Sequence, residues 1–231
     1  MGKIYINENI IKNLLKNVYF INGTAYAGKS TMVKLLAEKH NGICCGENYH
    51  EKLMHLIDEI NQPNLKYFDT MSGWQEFINR TPEEYNNWIH GCGEEASDLE
   101  IIELIRLSES GKKIFVDTNI SIEKLHKISN YNNVAIMVSP QSMSVEKFFD
   151  RPDQEKQFLL SKIMEAENPA KTLRNFKACI AKVNSEENYN KFVNSGFFVY
   201  KRDGSKNIEQ TLEILENHFK LTEPTFCKSW Q

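Results

Sequence analysis

The chain has 231 residues, of which 41% are hydrophobic and 26% charged, and its formal net charge is -3. That length is ample for one large core carrying an insertion, and no biased or repeated tract marks the chain as disordered or solenoidal. The slight acidic excess argues against a surface devoted to nucleic acid polymers, which bind through surplus Lys and Arg.

In chain order, the stretch MGKIYINENIIKNLLKN has no uninterrupted apolar run after Lys3, so neither a signal peptide nor a membrane span is expected. Gly2 opens a myristoylation pattern, but Ile6 stands where Ser or Thr is required. Ile10, Ile11, Leu14 and Leu15 recur at helical spacing and predict a short amphipathic helix before Asn17. Residues 18–21 are almost continuously apolar, as a strand covered on both faces needs to be, and an amphipathic helix is predicted from about 29 to 40. The alternation returns at 42–45, followed by a helical pattern through Leu53, Leu56 and Ile60. It returns again at 113–116 with a helix near 122–128, at 134–138, and at 197–200 with a helix over 208–219. Five apolar strands separated mostly by helices predict an α/β fold: a five-stranded parallel sheet with right-handed crossovers and helices on both faces.

Two long stretches interrupt this pattern. Residues 63–110 carry Tyr67, Phe68, Trp74, Phe77, Tyr85 and Trp88 and end in a helix with Leu99, Ile102 and Ile105 on its apolar positions. Residues 145–185 read as helices broken near Arg151-Pro152 and Asn168-Pro169. We expect a single domain over 1–231 in which the first stretch is an acceptor-binding insertion and the second a lid, with plain helical packing as the alternative for each. The five cysteines, at 44, 45, 92, 179 and 227, form an odd set without paired metal spacing, which suits a reducing, cytoplasmic setting.

Gly23-Thr24-Ala25-Tyr26-Ala27-Gly28-Lys29-Ser30 satisfies G-x-x-x-x-G-K-[ST] in full, a match that arises by accident in roughly one chain in a hundred of this length. Glycines let backbone N–H groups turn inward around phosphate oxygens, and the amino terminus of the following helix adds the positive end of its dipole. Lys29 then reaches β and γ phosphates and Ser30 offers its hydroxyl to Mg²⁺. Thr31 is a structural or base-side helper. The stretch is read as a holder of a nucleoside triphosphate, against the bland alternative of a turn glycine and a solvated lysine.

Asp117 ends the strand in KKIFVDTNIS, and in open parallel sheets ligands bind at the carboxyl ends of strands. It could hold the metal's water ligands or orient the acceptor hydroxyl; its structural alternative is helix capping, in competition with Asn119 and Ser121. Glu47 follows the second strand and could accept the proton of an attacking hydroxyl, hydrogen-bond the acceptor, or serve as a surface or capping residue. Arg151 in FFDRPDQEK and Arg174 in AKTLRNFK are candidates for clamping migrating phosphoryl charge, or for ordinary ion pairs with neighbouring acids. His50 and His55 lack the further ligands that a zinc site requires.

The loop at 23–30, the long insertion after the second strand, the Asp-ended third strand and the Arg-bearing segment after the fourth together resemble the P-loop kinases of small molecules and nucleotides, which include adenylate and shikimate kinases. The resemblance covers most of the chain, and the loop is its most specific part. It implies a three-layer α/β/α sandwich, ATP and Mg²⁺ as donor and cofactor, and a small-molecule acceptor. It also implies that residues after the last strand, Arg202, Asp203 and Gly204, lie near the adenine. The departures are in acceptor recognition. Shikimate kinases carry Asp-x-Asp after the second strand, where this chain has Glu47-Asn48-Tyr49, and a glycine run after the third, where it has Asp117-Thr118-Asn119. Asp150-Arg151 follows the fourth strand, rather than the third as in deoxynucleoside kinases.

The expected activity is therefore ATP-dependent phosphoryl transfer to a small-molecule hydroxyl or phosphate, with no nucleic acid or membrane partner. The alternative is a nucleotide-binding switch or ATPase that transfers nothing. A GTPase is disfavoured because the chain lacks Asn-Lys-x-Asp and an Asp-x-x-Gly after the third strand, and a transporter-type ATPase because it lacks a Leu-Ser-Gly-Gly-Gln-like signature.

Overall fold

The structure is a computed structural model that describes residues 6–140, 148–149 and 154–221. After a short helix α1 (Glu8–Leu14), β1 (Val18–Gly23) runs through the middle of a five-stranded sheet. It pairs in parallel with β3 (Ile114–Asp117) on one side and β4 (Val134–Val138) on the other. β2 (Ile43–Cys45) and β5 (Phe198–Lys201) add parallel edges, giving the order β2-β3-β1-β4-β5. Parallel pairing requires long crossovers, and helices supply them.

Side chains alternate across each strand, and in the three central strands both sets are largely buried. Val18, Phe20, Ile114, Val116, Val134, Ile136 and Val138 face one way, against Leu15, against Leu104 of the long helix α5 (Pro82–Ser108), and against Leu125 of α6 (Ile122–Ile128). Ile21, Phe115, Ala135 and Met137 face the other way, against Met32, Val33 and Leu36 of α2 (Lys29–Lys39) and Leu215 of the last helix, Ile208–His218. Burial on both faces is why the central strands read as continuous apolar runs.

The two interrupting stretches meet. The first contributes α3 (Tyr67–Thr70), α4 (Trp74–Ile78) and the start of α5, which opens with a reciprocal cap between Thr81 and Glu84 and carries Pro82 in its first turn. The second contributes α7 (Gln154–Met164) and α8 (Pro169–Val183), the latter capped by Asn168 as the Asn-Pro break predicts. Phe77, Ile78 and Tyr85 pack with Ile163, Phe176 and Ile180 into a second core. Its rings meet edge to face, with Phe77 5.0 Å from Trp88 and Tyr85 5.3 Å from Phe176. The Arg80 guanidinium lies 3.8 Å over the Tyr67 ring. The two interrupting stretches, expected as separate elements, thus share one hydrophobic centre. The break at Arg151-Pro152 lies outside the described residues.

One predicted helix is corrected. The pattern through Leu53, Leu56 and Ile60 forms a 3-10 turn, Tyr49–Leu56, and then stops. Asp58 captures the amide groups of Ile60 and Asn61, each at 2.9 Å, and turns the chain away. Leu56 and Ile60 are accordingly 62% and 85% exposed. A short α9 (Glu186–Val193) leads into β5, and the Ile208–His218 helix is α10. Among the described residues no helix is long and apolar enough to cross a membrane. The described cysteines are all free thiols, and burial pushes the Cys45 thiol up to about 12, which suits a packing role.

Candidate functional site

The carboxyl end of β1 meets its neighbours in a fixed register, Ile21 beside Asp117 and Gly23 beside Met137. That register decides the first glycine. A Cβ on Gly23 would lie 1.8 Å from the Met137 carbonyl oxygen, and the residue's φ is +131°, so no side chain fits. The chain then leaves β1 by donating the Thr24 N–H to that same carbonyl at 3.0 Å. Two further left-handed residues, Tyr26 (φ 64°) and Gly28 (φ 95°), curl the loop before α2 begins at Lys29. Gly28 caps α2 without a side-chain hydrogen bond to its first-turn amide groups.

Other elements brace the loop. Ser139, just past β4, donates its hydroxyl to the Ala25 carbonyl at 2.7 Å and its amide to Thr24 Oγ1 at 2.8 Å. Arg202, just past β5, donates to the Tyr26 carbonyl at 2.8 Å, which places it at the loop tip. Asn22 holds the loop's origin: its Oδ1 accepts from Gly23 N at 2.6 Å and its Nδ2 donates to the Ile120 carbonyl at 2.7 Å.

Beneath the loop, three predicted residues converge. The Ser30 hydroxyl donates to Asp117 Oδ2 at 2.6 Å, and Lys29 Nζ stands 3.8 Å from Oδ1 while donating to the Thr24 carbonyl at 3.1 Å. Asp117 is 2% exposed. Burial raises its pKa above the ordinary carboxylate value; Lys29 and the Ser30 hydrogen bond oppose that, and the charges of Glu47 and Glu100 add to it. The capping alternative for Asp117 goes to Ser121, whose hydroxyl accepts from Lys124 N at the start of α6.

Glu47 is exposed on the turn after β2, within electrostatic reach of Asp117. It borders a cavity of about 320 Å³ shared with Cys44, Tyr49 and Glu103. A larger cavity of about 510 Å³ lies within the insertion, between Asn64, Asn79, Arg80 and Trp88. Ala25 and Thr31 are exposed, and Ala27 is buried under the loop. Asp203 and Gly204 are exposed beyond Arg202, with Asp203 accepting from Ser205 N at 2.9 Å. Arg174 is exposed on α8, on the second core rather than on the loop, and makes no ion pair among the described residues. Arg151 lies outside the described residues.

Sequence reasoning passed over Asn22, Ser139 and Glu100. Asn22 had a signal: a polar residue closing an otherwise apolar strand directly before the loop. Glu100 had a weaker one, a carboxylate four positions before Leu104 on the buried face of a helix. Ser139 had none.

Ser30 and Asp117 set a hydroxyl and a carboxylate in contact beside an ammonium, hard oxygen donors of the kind small divalent cations take; among the described residues no group of three or more His, Cys, Asp or Glu comes together that could hold a metal ion. The chain matches no protein-family model and no curated protein.

Proposed function

We propose that this chain is an ATP-dependent phosphotransferase of the P-loop type, moving the γ-phosphoryl of Mg·ATP to a hydroxyl or phosphate on a small molecule. The observation that carries the reading is the Ser30–Asp117 contact beside Lys29, set under a glycine loop whose first glycine admits no side chain.

The residues of the loop and of its floor then have tasks that their positions support. Loop and first-turn amide groups of α2 donate to phosphate oxygens, and the helix dipole favours their charge. Lys29 exchanges the Thr24 carbonyl, an uncharged acceptor, for phosphate oxygens that carry charge. Ser30 and Asp117 would hold Mg²⁺, which when bound neutralises charge on the phosphates. Glu47 takes the proton of an attacking hydroxyl or orients the acceptor. Arg202 fixes the loop tip on the side where the base would lie; the clamping role read from the sequence for Arg174 and Arg151 draws no support from position, since Arg174 is on the second core and Arg151 lies outside the described residues. Catalysis is alignment and charge stabilisation.

Calorimetric titration of Mg·ATP into the native chain and into Lys29→Ala tests the reading, followed by an ATP-consumption screen over nucleosides, nucleotides, sugars and aminoglycosides. Loss of binding in the variant, with one acceptor stimulating consumption, is expected. Binding without any stimulating acceptor would favour a nucleotide switch; equal binding by both proteins would overturn the assignment of the loop.

A further inference from the structure

Glu100 sits in the middle of α5, 2% exposed, and each of its carboxylate oxygens has its own partner. Oε2 accepts from the Thr118 hydroxyl at 2.9 Å, and Oε1 stands 3.2 Å from His50 Nδ1. Thr118 directly follows Asp117, and His50 comes three residues after Glu47 in the 3-10 turn. The chain of contacts continues: Thr118 Oγ1 accepts from Ile120 N at 3.1 Å, the Ile120 carbonyl from Asn22 Nδ2 at 2.7 Å, and Asn22 Oδ1 from Gly23 N at 2.6 Å. One buried carboxylate on the insertion helix is therefore bonded, link by link, to the acceptor-side turn, to the residue after Asp117 and to the first glycine of the loop.

Packing alone does not account for it. Burying a carboxylate costs free energy unless its partners compensate, and Leu99 and Leu104 show that the same stretch of helix accepts apolar residues. What a carboxylate adds is direction: two acceptors at fixed angles that hold two separate segments.

We propose that Glu100 is a positioning residue, holding the turn that carries Glu47 in fixed relation to the Asp117–Thr118 bend and, through Thr118, Ile120 and Asn22, to the amide of Gly23. The kinetic consequence rests on the phosphotransfer reading; the geometric claim does not.

The test uses the full chain, labelled with ¹⁵N, as the native protein and as Glu100→Leu, Thr118→Val and Thr118→Ser; leucine removes both acceptors, whereas glutamine could still accept from Thr118 and donate to His50. In Glu100→Leu and Thr118→Val, backbone order parameters over 47–56 are expected to fall from the rigid range of about 0.85 towards about 0.6. Thr118→Ser, which keeps the hydroxyl, is expected to retain native values, and α10, on the opposite face of the sheet, to be unchanged in all three. Unchanged order over 47–56 in Glu100→Leu would overturn the proposal, as would an equal loss in α10, which would mark general destabilisation. If Glu100→Leu does not fold, the Thr118 pair decides the matter by the same readout. Where the native chain consumes ATP, Glu100→Leu is expected to lower kcat about tenfold or more while Mg·ATP affinity stays within about twofold. If calorimetry with Lys29→Ala defeats the phosphotransfer reading, the order parameters still decide the role of Glu100.

Discussion

The Ser30 hydroxyl donates to the Asp117 carboxylate across 2.6 Å, although 87 residues separate the two in the chain. The bond joins the first turn of α2 to the end of β3, two elements brought together by the pairing of β1 with β3. It also keeps a buried carboxylate supplied with a donor, with Lys29 as the nearest cation.

Asp117→Asn should separate stability from binding. Because the folded chain raises the pKa of Asp117, the ionised carboxylate opposes folding above that value, and the penalty fades as pH falls through it. The variant is therefore expected to melt above the native protein at neutral pH, with the gap closing in acid, while Mg·ATP binding is lost. Melting curves across pH check this; a variant less stable at neutral pH would show that Lys29 and Ser30 more than offset the burial.

The two glycines of the loop should fail for different reasons. Gly23→Ala forces a Cβ into the Met137 carbonyl and is expected to cost more than about 3 kcal/mol. Gly28→Ala meets only the ends of the Arg202 and Met137 side chains, at 3.8 and 3.9 Å, so it carries backbone strain alone, about 1–2 kcal/mol. Denaturant midpoints of the two variants would rank them, and equal costs would contradict the register described here.

Asn22 is 3% exposed and has both ends of its amide engaged. Asn22→Ala leaves the Gly23 amide and the Ile120 carbonyl without those partners, and is expected to cost about 2–3 kcal/mol and to loosen the loop. Chemical denaturation measures the first effect and hydrogen exchange at residue 23 the second.

Phe176→Ala tests whether the insertion and the helices of 154–183 form one unit. The ring is fully buried against residues from both, so its loss is expected to cost about 3–5 kcal/mol. Amide protection should fall together in α4, the start of α5 and α8, with the sheet less affected. A loss confined to α8 would show two independent elements.

Much of this architecture was legible beforehand. The apolar runs from Val18, Ile114 and Val134 announced a sheet covered on both sides, because only such strands can be apolar on every residue. Gly23 through Ser30 announced a tight loop between strand and helix, and Asp117 stood where a parallel sheet presents its ligand-facing edge. These features are local: they depend on neighbours in sequence and on the geometry of one strand or one turn. The order of the strands, the burial that raises the pKa of Asp117, the clash that reserves position 23 for glycine, and the joining of the two interrupting stretches through Phe77 and Phe176 belong to the tertiary structure alone. So does Glu100, whose partners lie 50 and 18 residues away. A side chain's residue type records what it can bond to; which groups come within reach is decided by long-range pairing of strands and helices, and that pairing leaves no periodic trace in the sequence.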